Sequence, residues 1–169
     1  MVRKIPIVDT FPFELYLDLD GVFADFDRGF FDISGRWPHQ VEKNTLWKII
    51  NSCDDFFFRL KLCENAEHLW VYCKQYNPKF LTGLPAKKNG REQKQNWVAK
   101  QFGDEWETIV IPKKEKQHHS GPNKALVDDT VVNLDQWVQK GGHGIHHTGD
   151  VWKTIDRLEE LRKAYNLTP

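Results

Sequence analysis

Apolar residues along the chain fall into short bursts separated by polar turns, and the period of each burst predicts an element. Glu14 to Leu19 reads as a short apolar strand, running into Asp18-Leu19-Asp20-Gly21. Leu46, Ile49 and Ile50 share one helical face, for which Asn44 is the expected N-cap. Ala66, Leu69, Trp70 and Cys73 recur at helical spacing over Asn65 to Tyr76, and Asn77-Pro78 stops that helix. Lys79 to Thr82 predicts a second strand ending at Gly83. Asn89 to Phe102 predicts a helix carrying Trp97, Val98 and Phe102, closed by Gly103. A β-branched strand follows over Thr108 to Ile111 and stops at Pro112. Ala125 to Val127 is the fourth strand, ending in Asp128-Asp129. Val131 to Lys140 is a helix closed by Gly141-Gly142, Gly144 to His147 a weak fifth strand, and Asp150 to Tyr165 the last helix, with Val151, Ile155, Leu158 and Leu161 on one side.

Short apolar strands alternating with helices predict an α/β fold, a five-stranded parallel sheet flanked by helices. Right-handed crossovers then bring all strand ends to one edge. The segment between the first strand and the first core helix differs in character. It holds Trp37, Trp47 and Phe56 to Phe58 with only short apolar periodicities. It reads as a small, mostly helical cap over residues 28–62, inserted into a core made of residues 1–27 and 63–169.

Composition narrows the function classes. The 169 residues carry 24 Lys+Arg against 24 Asp+Glu, a formal charge of zero, which argues against a generic polyanion binder. An aromatic share of 13% argues against disorder. Cys53, Cys63 and Cys73 form no CxxC pair and no disulfide framework, so a reducing, cytoplasmic setting is the expectation. Residues 1–13 are too short and polar for a signal peptide, and no apolar run approaches membrane-spanning length. His118-His119 and His143, His146 and His147 do not match a structural zinc spacing.

The chemistry concentrates where the strands end. In an open parallel sheet, ligands sit beyond the carboxyl ends of the strands. Asp18 and Asp20 stand there after strand one, Thr82-Gly83 after strand two, Lys113, Lys114 and Lys116 after strand three, Asp128 and Asp129 after strand four, and His146 and His147 at strand five. Carboxylate oxygens suit Mg²⁺, which also binds substrate phosphate. A carboxylate beside such an ion can attack phosphorus, with the metal and a lysine neutralising the transferring group.

The run Asp18-Leu19-Asp20-Gly21-Val22-Phe23-Ala24-Asp25-Phe26 resembles the first motif of the haloacid dehalogenase superfamily of phosphohydrolases. Leu81-Thr82-Gly83-Leu84-Pro85 looks like its second motif, and Leu126-Val127-Asp128-Asp129 like its fourth. The form of the first motif is closest to the 5'(3')-deoxyribonucleotidases and to related small phage-type phosphatases. Lys94-Gln95-Asn96-Trp97-Val98 and Gly142 to Thr148 extend the likeness over nearly the whole chain outside the cap.

The resemblance implies a Rossmann-like core with Asp18 as nucleophile and Asp20 as general acid and base. Asp18, Asp20 (through its carbonyl), Asp128 and Asp129 would hold Mg²⁺, and Thr82 and Gly83 the phosphate. Of Lys113, Lys114, Lys116 and Lys124, Lys116 is taken as the third-motif lysine, because Glu115-Lys116 matches the acidic-then-lysine step of the relatives. Phe26 matches a phenylalanine of the nucleotidase base and sugar pocket, and the cap aromatics are candidates to complete a stacking surface. The expected substrate is a small phosphorylated molecule, a nucleotide first. Polynucleotide ends or another phosphorylated metabolite are the enzymatic alternatives, and a non-catalytic binding protein on the same fold is the third. Lys87, Lys88, Arg91 and Lys94, at a helix start, read as solvated charge.

Overall fold

The computed structural model describes residues 3–9 and 12–166. Five strands form one sheet: β1 (Glu14–Leu17), β2 (Lys79–Gly83), β3 (Thr108–Ile111), β4 (Lys124–Asp128) and β5 (His143–His146), in the spatial order β3-β2-β1-β4-β5. Every pairing is parallel, with Tyr16 beside Lys79 and Leu126, Val110 beside Thr82, and Asp128 beside His146. Six α-helices flank it: α1 (Phe26–Ser34), α2 (Lys43–Asn51), α3 (Ala66–Cys73), α4 (Gly90–Phe102), α5 (Val131–Gln139) and α6 (Val151–Asn166).

The alternation of side chains along each strand divides the core in two. Leu15 and Leu17 of β1, Phe80 of β2 and Ala125 and Val127 of β4 face α3, α4 and α6 in one large buried cluster with Leu69, Trp97, Ile155 and Leu158. Tyr16, Leu81 and Leu126 point the other way and pack only against Leu134 and Trp137 of α5 and half-buried Ile109 and Ile111. That second face is thin because β3 leads into a 3-10 turn, Lys113–His119, where a covering helix would otherwise lie.

From β1 the chain steps outward through β2 and β3. It then returns to β4 and steps the opposite way to β5. The reversal lies between β1 and β4, and a crevice opens beyond the carboxyl ends of those two strands. The loop after β1 is shaped for that place. Leu19, Val22 and Phe23 are buried, and the Leu19 carbonyl accepts from the amides of Val22, Phe23 and Ala24. The apolar members of the motif anchor the loop, and Asp18 and Asp20 are left at the crevice.

Between β1 and β2, α1 and α2 contribute Phe30 and Ile50 to the large cluster, together with Phe56, Phe57 and Leu60 of the following loop. Helix α4 fastens that loop. The Gln93 side chain accepts from the Phe57 N–H at 3.0 Å and donates to the Asp54 carbonyl at 2.7 Å, and the Trp97 indole donates to the Leu60 carbonyl at 2.8 Å.

Boundaries differ from the sequence expectation in ways local chemistry explains. Asn44 lies inside α2, whose N-cap is Glu42. The helix expected through Tyr76 is α3 followed by a 3-10 turn, Lys74–Tyr76, which tightens the chain before Asn77 turns left-handed at φ 49. Lys124 opens β4 at the solvated edge and pairs with Glu14 at 3.6 Å.

Trp97 is 1% exposed and ties α4 to the loop between α2 and α3. Trp97→Ala should destabilise the fold by about 3–5 kcal/mol, read from the urea midpoint. Trp97→Phe should keep most of the packing and lose only the bond to the Leu60 carbonyl.

Candidate active site

Asp18 directly follows β1, where its N–H still donates to the Val127 carbonyl of β4 at 2.9 Å, so its backbone is fixed by the sheet. The Lys116 Nζ, on the 3-10 turn after β3, lies 2.9 Å from Asp18 Oδ1 and 2.8 Å from Asp128 Oδ2. All three side chains are buried. Burial opposes the lysine's charge, but the Asp18 and Asp128 carboxylates outweigh it and hold Lys116 above its ordinary range. Of the lysines after β3, Lys116 is thus the one brought to the carboxylates.

Asp128 is fully enclosed, and both its oxygens are engaged. Oδ1 accepts from the Thr130 N–H at 2.8 Å, and Asn133 Nδ2 lies 3.2 and 3.1 Å from the two oxygens. Burial and the Asp18 charge push the Asp128 carboxyl up, while Lys116 and the Thr130 N–H pull against them. Asp129 instead faces the crevice. Its carboxyl is pushed up to about 7, by partial desolvation first and then by the charges of Asp18 and Asp128. Oxygens of Asp18, Asp128 and Asp129 lie within 4.8 Å of one another. A cluster of hard oxygen donors gathered this closely suits a divalent cation of the Mg²⁺ kind. With Asp128 engaged by its neighbours, Asp18 and Asp129 are the carboxylates free to be direct ligands. Gly21 makes room for this: its φ is +78°, and a Cβ there would stand 2.2 Å from Asp129 Oδ2.

A second buried lysine stands opposite the first. Lys94 Nζ lies 2.7 Å from Asp20 Oδ2, 3.0 Å from Thr82 Oγ1, 2.9 Å from the Gly83 carbonyl and 5.0 Å from the Phe57 ring centroid. It is 3% exposed, which corrects its reading as solvated charge. The sequence signal was its position one turn into a helix directly after the second motif, with Trp97 on the same face. Asn133 was also missed: it reads as one polar residue in an ordinary helix until α5 turns it toward Asp128.

These groups line or underlie a cleft of about 380 Å³. Asp18, Asp20, Gly83, Lys94, Lys113 and Asp129 line it together with Asp25, Phe26, Asp27, Trp47, Phe57, Cys63, Leu84 and Pro85. Thr82, Asp128 and Lys116 are buried behind that lining. The stem of Lys113 lies over Gly83, where a Cβ would meet it at 2.8 Å. The cap aromatics divide: Trp47 and Phe57 reach the cleft, Trp37 stacks on Phe31 with ring centroids 4.6 Å apart, Phe56 is core, and Phe58 lies at the surface under Lys100. Neither histidine of β5 and its end lines the cleft. His146 Nε2 lies 3.1 Å from the Asp129 carbonyl, and His147 is buried against Thr154 at 2.8 Å.

No protein-family model matches the chain, and no curated protein matches it. Among solved structures, the chain is similar to a haloacid dehalogenase-like family hydrolase from Streptococcus pneumoniae, at 11% identity and a TM-score of 0.53, over 90% of this chain and 98% of that one. A hydrolase from Streptococcus pneumoniae TIGR4 aligns at 11% identity and a TM-score of 0.49, over 90% and 99%. The first likeness shows that the chain has the haloacid dehalogenase-like fold, with the five-stranded parallel sheet that the sequence predicts. Among the described residues no helix is long and apolar enough to cross a membrane.

Adding millimolar Mg²⁺ near neutral pH should raise the thermal midpoint, since a ligand that binds only the folded state stabilises it. Asp129→Asn should remove most of that rise in a calorimetric scan. An equal rise in the variant would place the ion elsewhere.

Proposed function

We propose that the protein is a Mg²⁺-dependent phosphomonoesterase that works through an aspartyl-phosphate on Asp18. The single observation that carries this is the buried Asp18–Lys116–Asp128 bridge beside the open Asp129. A nucleophilic carboxylate must be aimed, and an ion pair with a buried ammonium aims it. Residue roles follow the likeness to the haloacid dehalogenase motifs and agree with the positions above.

The substrate phosphate would enter between Asp18 and the Gly83–Lys113 side. Mg²⁺, held by Asp18, Asp129 and the Asp20 carbonyl, would neutralise phosphate charge when bound. An Asp18 oxygen attacks phosphorus, and the bond from phosphorus to the ester oxygen breaks. The electron pair leaves on that oxygen, which takes a proton from Asp20. Water then attacks phosphorus and gives a proton to Asp20, and the Asp18–phosphorus bond breaks to release inorganic phosphate. Asp20 must arrive protonated, so its bond to Lys94 belongs to the resting state and loosens as substrate binds. Lys94 also donates to Thr82 Oγ1, which leaves the Thr82 hydroxyl hydrogen available to the phosphate. Residues 28–62 act as the cap in this reading, and Phe26, Trp47 and Phe57 supply a flat apolar wall for the leaving group. That wall favours a nucleotide among phosphate esters.

Asp18→Asn should leave the fold intact and abolish release of phosphate from p-nitrophenyl phosphate. Asp20→Asn should slow it by about 10²–10⁴-fold, the usual worth of a general acid. Lys94→Met should cost about 10²–10³-fold, comparable to removing one electrostatic donor. Full activity of Asp18→Asn would refute the covalent route.

A further inference from the structure

The cleft contains two carboxylates that the proposed chemistry does not use. Asp25 and Asp27 flank Phe26 and line the cleft with Trp47 and Phe57. The inner carboxylates each have a cationic partner: Asp18 and Asp128 share Lys116, and Asp20 has Lys94. Asp129 would be met by the metal ion. Asp25 and Asp27 enter no ion pair among the described residues. Arg28, Arg59 and Lys61 border a neighbouring pocket with Asp25 without bridging to it, and two of them pair elsewhere, Arg28 with Asp32 at 2.8 Å and Arg59 with Asp55 at 3.8 Å. Asp25 is held in place, because its Oδ1 accepts the Arg28 N–H at 3.0 Å as the N-cap of α1.

The same cleft also carries positive charge. Lys113 lies along Gly83 and enters no ion pair among the described residues, so an unpaired ammonium stands where the phosphate would enter. The Cys63 thiol, which lines the same cleft, is pushed up to about 12 by burial and then by the charges of Asp25, Asp129, Asp20 and Asp27. The Asp27 carboxyl is pushed up by burial and by Asp25, against a weaker pull from His39.

We propose that Asp25 and Asp27 are specificity-determining residues that reject a leaving group bearing a second negative charge and favour one that is cationic or rich in hydrogen-bond donors. The inference rests on the phosphomonoesterase reading and deepens it. With the phosphate between Asp18 and Lys113, the leaving group takes the rest of the cleft, which Asp25 and Asp27 line. A second phosphate or carboxylate on the ester would have to lie against the uncompensated pair. The same charge pattern disfavours polynucleotide ends, whose neighbouring phosphodiester would fall on the acidic wall. It suits an amino-bearing aromatic group, which can stack on the apolar wall and donate to the carboxylates.

Para-substituted phenyl phosphates test this without presupposing a nucleotide. The wild-type protein with Mg²⁺ should hydrolyse 4-(aminomethyl)phenyl phosphate with a kcat/KM about tenfold or more above that for 4-carboxyphenyl phosphate. The ratio should shrink as ionic strength rises. It should fall by about threefold or more in Asp27→Asn, and likewise in Asp25→Asn, where asparagine still caps α1. Equal rates on the two esters, or a ratio unmoved by either substitution, would overturn the selectivity while leaving the phosphomonoesterase standing. No turnover of either ester or of unsubstituted phenyl phosphate would overturn both.

Discussion

A buried ammonium held between two buried carboxylates is the constraint on which the rest of the site depends. Lys116 lies between Asp18 at the end of β1 and Asp128 at the end of β4, and all three are removed from water. Removing Lys116 would leave two carboxylates without a counter-charge in a low-dielectric place, which is costly. The bridge joins the two central strands where the chain reverses direction across the sheet, so the topology and the site share one feature. It also requires the 3-10 turn after β3, because a regular helix there would carry Lys116 away along its axis. The thin covering of the second sheet face follows from that choice.

Around this bridge, the aspartates take different environments from nearly identical sequence. Asp128 has every oxygen engaged and acts by holding Lys116 and the start of α5. Asp129, the next residue, faces the crevice among like charges. Strand alternation supplies the difference: successive residues leaving a strand point to opposite sides. The same rule puts Asp18 and Asp20 on one side and the buried Leu19 on the other. Helix α4 performs a corresponding task. Its Gln93, Lys94 and Trp97 successively hold the Phe57 loop, Asp20 and the Leu60 carbonyl, so one helical face aligns the segment over residues 28–62 with the Asp20 carboxylate.

Much of this was legible in the sequence. The strands were readable because parallel strands buried on both faces are near-continuous apolar runs, and the ends of β1, β2 and β4 were marked by polar residues with no role in a core. Asp18, Asp20, Gly83, Asp128 and Asp129 could be placed at one edge from that alone. Lys116 was singled out among its neighbours by a resemblance, and its geometry here accords with that choice. Lys94 and Asn133 were illegible for a physical reason. On a helix, a polar residue signals burial only through its three-dimensional neighbours, and the helical period cannot distinguish a lysine facing water from one facing an aspartate across a cleft. The sorting of the cap aromatics was likewise hidden, since Phe56, Phe57 and Phe58 are adjacent in sequence and end in core, cleft and surface.

The uneven covering of the sheet has a consequence for how the molecule breathes. Strand β3 is an edge strand whose Ile109 and Ile111 are half-buried, whereas β1 and β4 lie at the centre with Leu15, Leu17 and Val127 sealed. Local opening starts where the fewest apolar contacts must be surrendered, so the amides of β3 belong to a less protected cooperative unit than those of β1 and β4. Lys113 is tethered to that outer unit and Asp18 to the inner one. The Lys113 edge of the cleft can therefore loosen and re-form while Asp18 stays in register.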